Sequence, residues 1–112
     1  MIVGIDLGTT NSLVAWFDGE KAQIIPNRLG ELLTPSVVSM DEDGTVYVGR
    51  TAQARAGLHP LDTASVFKRS MGTGREFRLG GRVFRPEDLS SLVLRSLKED
   101  AEVFLGQPVE EA

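Results

Sequence analysis

The chain has 112 residues, a formal net charge of −4, a pI near 4.9 and no cysteine. This length fits one domain, and the acidic balance argues against nucleic acid or an anionic membrane surface as the main partner. The lack of cysteine excludes disulfides, thiolate metal sites and thiol nucleophiles. Because the sequence has neither a leader-like start nor an apolar run of membrane-spanning length, we expect a cytoplasmic protein.

The beginning of the sequence predicts a set of three antiparallel strands. Met1–Leu7 and Ser12–Phe17 are apolar runs separated by a short loop, and Asp18-Gly19 is a turn signal before a third run, Ala22–Ile25. The run Ser12–Phe17 (SLVAWF) has apolar residues at both odd and even positions, which point to opposite faces of a strand. We therefore expect this strand to be covered on both faces. Its two aromatic residues are therefore expected in the core.

The middle of the sequence alternates strand and turn signals. Thr34-Pro35 holds the chain extended before SVVSM, and Asp43-Gly44 turns this strand back into TVYV. A short helix is predicted between Gly49 and Gly57, then a loop around Pro60. The segment VFKRSM is compact, apolar and basic, and FRLGGRVF is a hairpin that turns on two glycines.

The clearest helix starts at Pro86, whose fixed φ suits the first helical position. Glu87 and Asp88 complement the positive end of the helix dipole, and Gly106 and Pro108 end the helix. Apolar residues at spacings of three and four predict one buried stripe: Leu89, Leu92, Val93, Leu97, Ala101, Phe104 and Leu105.

The loop after the first strand predicts a phosphate-binding site. Gly8-Thr9-Thr10 can turn tightly enough to aim consecutive amides at one anion, and the threonine hydroxyls add neutral donors. The spacing is not that of a Walker P-loop, and a strand follows instead of a helix. Asp6 would repel phosphate, so its expected partner is a hydrated divalent cation, Mg²⁺. The alternative from spacing alone is an Asx-type turn that only caps a hairpin.

The run GIDLGTTNS closely resembles the first phosphate loop of the DnaK-type chaperones, the seventy-kilodalton heat-shock proteins of the actin-like and sugar-kinase-like ATPase superfamily. IIPNRLGELLTPSVVSM, FKRSMGT and PEDLSSLVLRSLKEDAEVFLG resemble the family's following segments in the same order, and the HscC-type branch is the most similar. The resemblance implies an α/β fold class, a partial ribonuclease-H-like, actin-like ATPase fold. Residues 1–35 would form the phosphate-loop sheet, and residues 36–112 the small subdomain and long helix of the first lobe.

The resemblance also implies roles for particular residues. Gly8, Thr9, Thr10 and Asn11 would line the phosphates of ATP or ADP. Asp6 would hold Mg²⁺ through water, and Lys68 would position the attacking water and stabilise charge on the transferred phosphoryl group, a role that suits a compact point charge. Without the resemblance, a solvated surface lysine would be the preferred interpretation of Lys68.

The function implied by the resemblance is ATP-driven binding and release of unfolded or specific client polypeptides, assisted by a J-domain co-chaperone and a nucleotide exchange factor. The family's second phosphate loop, adenosine pocket, remaining acidic residues and substrate-binding domain have no counterpart in this sequence. We therefore expect an N-terminal piece of a chaperone ATPase that binds ATP weakly, hydrolyses it poorly and can associate with itself through faces that further strands would cover.

The remaining polar features have simpler interpretations. Asp41-Glu42-Asp43-Gly44 looks like the start of a calcium loop, but the later ligands do not follow, so a hairpin turn is favoured. His59 has no second histidine or cysteine with which to bind a metal. A solvated face is favoured over partner or interlobe contacts for a group of five arginines: Arg69, Arg75, Arg78, Arg82 and Arg85.

Two other functions stay open at this point. A metabolite kinase, acting on a sugar, could use the same phosphate loop, although it gives no reason for FKRSMG. A non-enzymatic module could use the partial lobe only to assemble with itself or with another chain.

Overall fold

The computed structural model describes residues 2–65 and 67–109. Met1, Val66 and the last residues of the PVEEA segment, on which some sequence predictions fall, lie outside the described residues. The regular elements are β1 (Gly4–Leu7), β2 (Asn11–Phe17), β3 (Ala22–Ile24), β4 (Thr34–Pro35), β5 (Val37–Met40), β6 (Val46–Val48), α1 (Arg50–Arg55), β7 (Thr63–Ser65), β8 (Phe77–Leu79), β9 (Arg82–Phe84) and α2 (Pro86–Leu105). Short 3₁₀ helices cover Pro60–Asp62 and Phe67–Ser70. The mixed α/β class expected from the sequence is confirmed.

The first sheet is built around β2. β1 pairs antiparallel with one edge of β2, while β3 and β4 pair antiparallel with successive parts of the other edge. The three predicted antiparallel strands are therefore confirmed, and the extended Thr34-Pro35 dipeptide adds a fourth, very short strand. The register places Leu7 opposite Ser12, so residues 8–11 form the turn enclosed by this pair, although Asn11 already pairs with Pro35 of β4.

The second sheet has the strand order β6-β5-β7 and is antiparallel throughout. The turn predicted at Asp43-Gly44 joins β5 to β6, and Gly44 has a φ of 89°. β7 was not predicted, because the sequence indicated a loop after Pro60. Three residues are too few to show the alternation of apolar and polar residues that predicts a strand. Thr63–Ser65 is a strand because it pairs with β5.

The predicted glycine hairpin is confirmed as β8 and β9. Leu79 lies opposite Arg82, and both intervening glycines have positive φ, 56° at Gly80 and 79° at Gly81, as a two-residue type I′ turn requires. A side chain on Gly80 would lie 2.6 Å from the carbonyl oxygen of Asp41. The hairpin therefore packs closely against the start of the loop between β5 and β6.

The long helix α2 starts at Pro86 and ends before Gly106, as predicted. The amide of Arg85 donates to the Asp88 carboxylate at 2.9 Å, and Gly106 ends the helix with a φ of 69°. The predicted stripe is mostly correct, since Leu89, Val93, Leu97 and Ala101 are buried. It is wrong at Phe104, which is 52% exposed.

The core lies between α2 and the sheets. Its buried apolar side chains are Val3, Val14, Ile25, Val38, Met40, Ala64, Phe67, Leu79, Leu89, Val93, Leu97, Ala101 and Val109. Trp16 packs against this core as expected, but Phe17 is 64% exposed. The prediction that both faces of β2 are covered is therefore wrong for the described structure: Ser12 and Val14 are buried on one face, whereas on the other Leu13 and Ala15 are only half-buried and Phe17 is exposed.

Among the described residues, we find no helix that combines the length and the apolar character needed to cross a bilayer.

Candidate functional site

The loop that joins β1 to β2 is a tight connection that requires glycine at its first position. A Cβ atom on Gly8 would lie 2.1 Å from the carbonyl oxygen of Asn11, closer than any side chain can approach a backbone oxygen. The loop thus folds back on itself across residues 8–11. Only glycine, which has no Cβ, allows so close a backbone approach.

Two carbonyl groups of this loop accept hydrogen bonds from Ser36. The Ser36 amide donates to the Thr10 carbonyl at 2.9 Å, and the Ser36 hydroxyl donates to the Gly8 carbonyl at 2.8 Å. The hydroxyls of Ser12 and Ser36 are 2.8 Å apart, and both residues are buried. Ser36, between β4 and β5, therefore holds the loop backbone through two hydrogen bonds and is itself in contact with Ser12 of β2.

The amides of the loop are left available. Among the described residues, no turn, loop or side-chain hydrogen bond takes the N–H of Thr9 or Thr10 as its donor. Thr9 is half-buried, and Thr10 and Asn11 are exposed. Because these amides donate to no group within the described structure, the loop can bind an anion through them without breaking an internal hydrogen bond.

A cleft of about 400 Å³ opens beside the loop. The loop contributes Thr9 and Thr10 to its lining, and α1 and the segment around β7 contribute further residues. The lining residues are Thr9, Thr10, Ser36, Val37, Gln53, Ala56, Pro60, Thr63 and Ser65. This volume lies in the range of small-molecule sites.

Asp6 lies on β1, two residues before Gly8, and its side chain is exposed. The residue pairs with Leu13 in the sheet, and none of the ion pairs among the described residues involves it. No group of three or more His, Asp or Glu residues within the described ranges could hold a metal ion. Asp6 can therefore contribute one carboxylate to a cation, which suits a hydrated Mg²⁺ that takes its other ligands from water and phosphate.

Lys68 lies on the 3₁₀ helix Phe67–Ser70 and is exposed. Phe67 is buried and anchors this turn in the core. The helix follows β7, whose last residue, Ser65, pairs with Val37 at the edge of the cleft. Because consecutive Cα atoms are about 3.8 Å apart, the Cα of Lys68 lies at most about 11 Å from that of Ser65.

The end of the Lys68 segment is tied to α2. The Gly72 amide donates to the Glu87 carboxylate at 2.8 Å, and this backbone hydrogen bond holds the pKa of Glu87 below its usual value of 4.5. Glu87 lies in the first turn of α2, where a carboxylate is also favoured by the helix dipole. Both ends of the segment that carries Lys68 are thus attached to the folded core.

Asp6 precedes the loop on β1, and Lys68 follows β7, whose last residue, Ser65, lines the cleft. Neither Asp6 nor Lys68 is itself among the residues that line the cleft. Their chemical roles stay predictions. Sequence reasoning missed Ser12 and Ser36 as the groups that hold the loop, and Gln53 and Thr63 as cleft residues. The only available signal was a serine directly after Thr34-Pro35, which is too short a pattern to interpret.

The remaining candidates have structural roles or lie on the surface. Asp41 pairs with Arg55 at 2.6 Å, and Asp43 accepts the Thr45 amide at 2.9 Å, as expected of a hairpin turn. His59 is exposed. The five arginines around the hairpin are all exposed, and Arg75 stacks on Phe77 with its guanidinium 4.6 Å from the ring centre.

Comparison with known proteins gives consistent matches. The model of one protein family, described as "Hsp70 protein", matches residues 2–78. The chain is 42% identical to the protein named "Chaperone protein DnaK" of Thermotoga neapolitana over 113 aligned residues, which cover 99% of this chain and 19% of that protein. The proteins of the same name from Thermotoga petrophila and Thermotoga maritima match with the same identity and coverage.

The chain spans about a fifth of the length of these relatives. The family match covers well over half of the chain, and the identity extends over nearly all of it. The mixed sheets and the loop between β1 and β2 are consistent with part of an actin-like ATPase fold. The chain therefore belongs to the Hsp70 family.

Proposed function

We propose that this chain supplies the first phosphate-binding loop of an ATP-dependent chaperone, with ATP or ADP and Mg²⁺ as its ligands. The observation that carries the proposal is the loop at residues 8–11, whose carbonyls are hydrogen-bonded to Ser36 while the Thr9 and Thr10 amides have no internal acceptor. Such a loop is built to receive an anion. Its position on the wall of the cleft gives that anion a site of suitable size.

Each loop residue would make a different contribution. Gly8 allows the close turn, because no Cβ fits beside the Asn11 carbonyl. The amides and hydroxyls of Thr9 and Thr10 would donate to phosphate oxygens, and the exposed Asn11 side chain would add a polar contact at the end of the loop. Neutral donors of this kind bind phosphate without a fixed positive charge.

Asp6 would orient the Mg²⁺ ion through its water ligands. A single exposed carboxylate beside a phosphate loop fits this ion, since Mg²⁺ keeps several waters and takes one or two carboxylates together with phosphate oxygens. When bound, the ion neutralises charge on the phosphates. The ion would also offset the repulsion between the Asp6 carboxylate and the phosphate chain.

Lys68 would contribute positive charge at the end of the phosphate chain. Its exposure and the attachment of its 3₁₀ helix through Phe67 and Glu87 leave the ammonium group accessible on a fixed backbone. A fixed, accessible cation can stabilise charge that develops during phosphoryl transfer. We propose Lys68 and Asp6 as the catalytic pair of this part of the protein.

The activity of a whole protein that contains this chain is a broader proposal, because the chain spans only 19% of its DnaK relatives. We propose ATP-dependent binding and release of client polypeptides, with a J-domain co-chaperone and a nucleotide exchange factor as partners. The HscC-type assignment, the cytoplasmic location and the division into a phosphate-loop sheet (1–35) and a small subdomain with the long helix (36–112) stay predictions. The Hsp70 match favours a chaperone over a sugar kinase.

A chimaera tests the proposal. In Thermotoga maritima DnaK, the segment that aligns with this chain would be replaced by residues 1–112, and ATP hydrolysis would be measured with and without an unfolded peptide. We expect hydrolysis that the peptide stimulates, and loss of nucleotide binding when Thr9 and Thr10 are both replaced by valine. The unmodified relative is the positive control. A folded chimaera that binds no nucleotide, or that phosphorylates a sugar instead, would contradict the proposal.

A further inference from the structure

The two serine hydroxyls behind the loop form a directed chain of hydrogen bonds. A serine hydroxyl has one proton, and the Ser36 hydroxyl donates it to the Gly8 carbonyl at 2.8 Å. The contact of 2.8 Å between Ser12 and Ser36 must then use the proton of Ser12. Ser12 therefore donates to Ser36, and Ser36 donates to the Gly8 carbonyl. Hydrogen bonds in such a chain polarise one another, so the last bond, to the loop carbonyl, is strengthened.

Ser36 thereby sets the direction of two peptide groups in the loop. Its hydroxyl binds the Gly8 carbonyl, and its amide binds the Thr10 carbonyl at 2.9 Å. No described peptide bond is cis. In a planar trans peptide, the N–H points opposite to the carbonyl of the same group. The N–H of Thr9 and the N–H of Asn11 are therefore directed away from Ser36.

We propose that Ser36 is a positioning residue that directs the Thr9 amide of the loop at the phosphates, and that Ser12 supports Ser36 through the hydrogen bond between their hydroxyls. This inference rests on the proposed function of the loop. Ser36 lines the cleft but is only 3% exposed, and it donates its only hydroxyl proton to the Gly8 carbonyl. The side chain therefore has no proton to donate to a ligand and would act on it through the backbone of the loop. The pair would pre-organise the donors before the nucleotide arrives, which lowers the ordering cost of binding.

The first experiment measures amide direction in the 112-residue chain without any ligand. Residual dipolar couplings of backbone N–H groups would be recorded for the wild type, Ser36→Ala, Ser12→Ala and Ser90→Ala. Ser90 is a matched control, because it is also a buried serine but its hydroxyl contacts Met71 on the other side of the core. We expect changed couplings at Thr9 in Ser36→Ala, a smaller change in Ser12→Ala and none in Ser90→Ala. An unchanged Thr9 coupling in folded Ser36→Ala would overturn the inference.

The second experiment measures function in the chimaera with Thermotoga DnaK. Loss of one pre-organised hydrogen bond predicts a KM for ATP that is raised roughly tenfold in Ser36→Ala, with a smaller change in kcat. Ser12→Ala should raise KM less, and Ser90→Ala should leave both constants unchanged. A wild-type chimaera without nucleotide binding would overturn the proposed function, whereas normal KM in Ser36→Ala would overturn only the positioning role. If Ser36→Ala does not fold, the Ser12→Ala variant decides between these outcomes.

Discussion

The guanidinium Nε of Arg28 lies 2.9 Å from the Oδ1 of Asp100, which joins the loop after β3 to the C-terminal half of α2. The Asp100 side chain is only 4% exposed, while that of Arg28 is 60% exposed. The hydrogen bond to Asp100 raises the pKa of the Arg28 guanidinium, which stays charged at every accessible pH. A buried carboxylate on α2 is thus satisfied by a residue that is distant in the sequence.

Replacement of Arg28 by alanine is expected to destabilise the fold. The change leaves the Asp100 carboxylate buried without its partner, which should lower the free energy of unfolding by about 1–3 kcal/mol. Urea denaturation followed by circular dichroism measures this difference. The control is Arg95→Ala, because Arg95 is exposed and in none of the ion pairs among the described residues. Equal midpoints for the two variants would mean that the pair does not support the fold.

Gly8→Ala is expected to deform the proposed phosphate loop. The new Cβ would lie 2.1 Å from the Asn11 carbonyl oxygen, so the backbone must move, at a cost of about 1–3 kcal/mol in the free energy of unfolding. Gly4→Ala is the matched control, because a Cβ at Gly4, on the strand that precedes the loop, meets no atom within 4 Å. Urea denaturation of both variants checks the prediction, which fails if they are equally stable.

The turn after β2 is expected to weaken in acid because of Asp18. Its carboxylate accepts the Lys21 and Glu20 amides, and these backbone bonds hold the pKa of Asp18 below its usual 3.8. Since the folded pKa is depressed, this contribution to stability is complete above pH 3.8 and is lost as the pH falls through the lower, folded pKa. Carboxyl NMR titration measures the shift directly.

A matched substitution separates charge from hydrogen bonding at this turn. Asp18→Asn keeps a side-chain oxygen that can accept the same amides but cannot titrate. The stability difference between the wild type and this variant should therefore change with pH only below about 4, which acid denaturation can measure. A difference that is constant from neutral pH into this acid range would rule out the proposed linkage.

Lys68→Ala is expected to reduce catalysis without affecting the fold. In the chimaera with Thermotoga DnaK, loss of the ammonium group should lower kcat by about 10²-fold to 10³-fold, as for other groups that stabilise charge in a transition state. The exposed side chain contributes little to stability, so the unfolding midpoint should stay the same. The neighbouring Arg69→Ala is the control, and an equal fall in kcat in that variant would argue against a specific role for Lys68.

The sequence alone predicted the features that depend on neighbouring residues. The glycine hairpin between β8 and β9, the turn at Asp43-Gly44 and both ends of α2 follow from the dihedral preferences of glycine and proline. The run GIDLGTTNS also located the loop and its family, because the order of strand, acidic residue and Gly-Thr-Thr lies within one short segment.

The tertiary structure decided everything that depends on residues far apart in the chain. Thr63–Ser65 forms a strand because it pairs with the edge of β5. Phe17 and Phe104 are exposed because no described element packs over their side chains. The contact of Ser36 with the loop between β1 and β2 could be recognised only in the folded chain, where its hydroxyl bonds to Gly8, 28 positions earlier in the sequence. Backbone conformational preferences depend on adjacent residues, whereas burial and long-range hydrogen bonds are determined only when distant segments pack together.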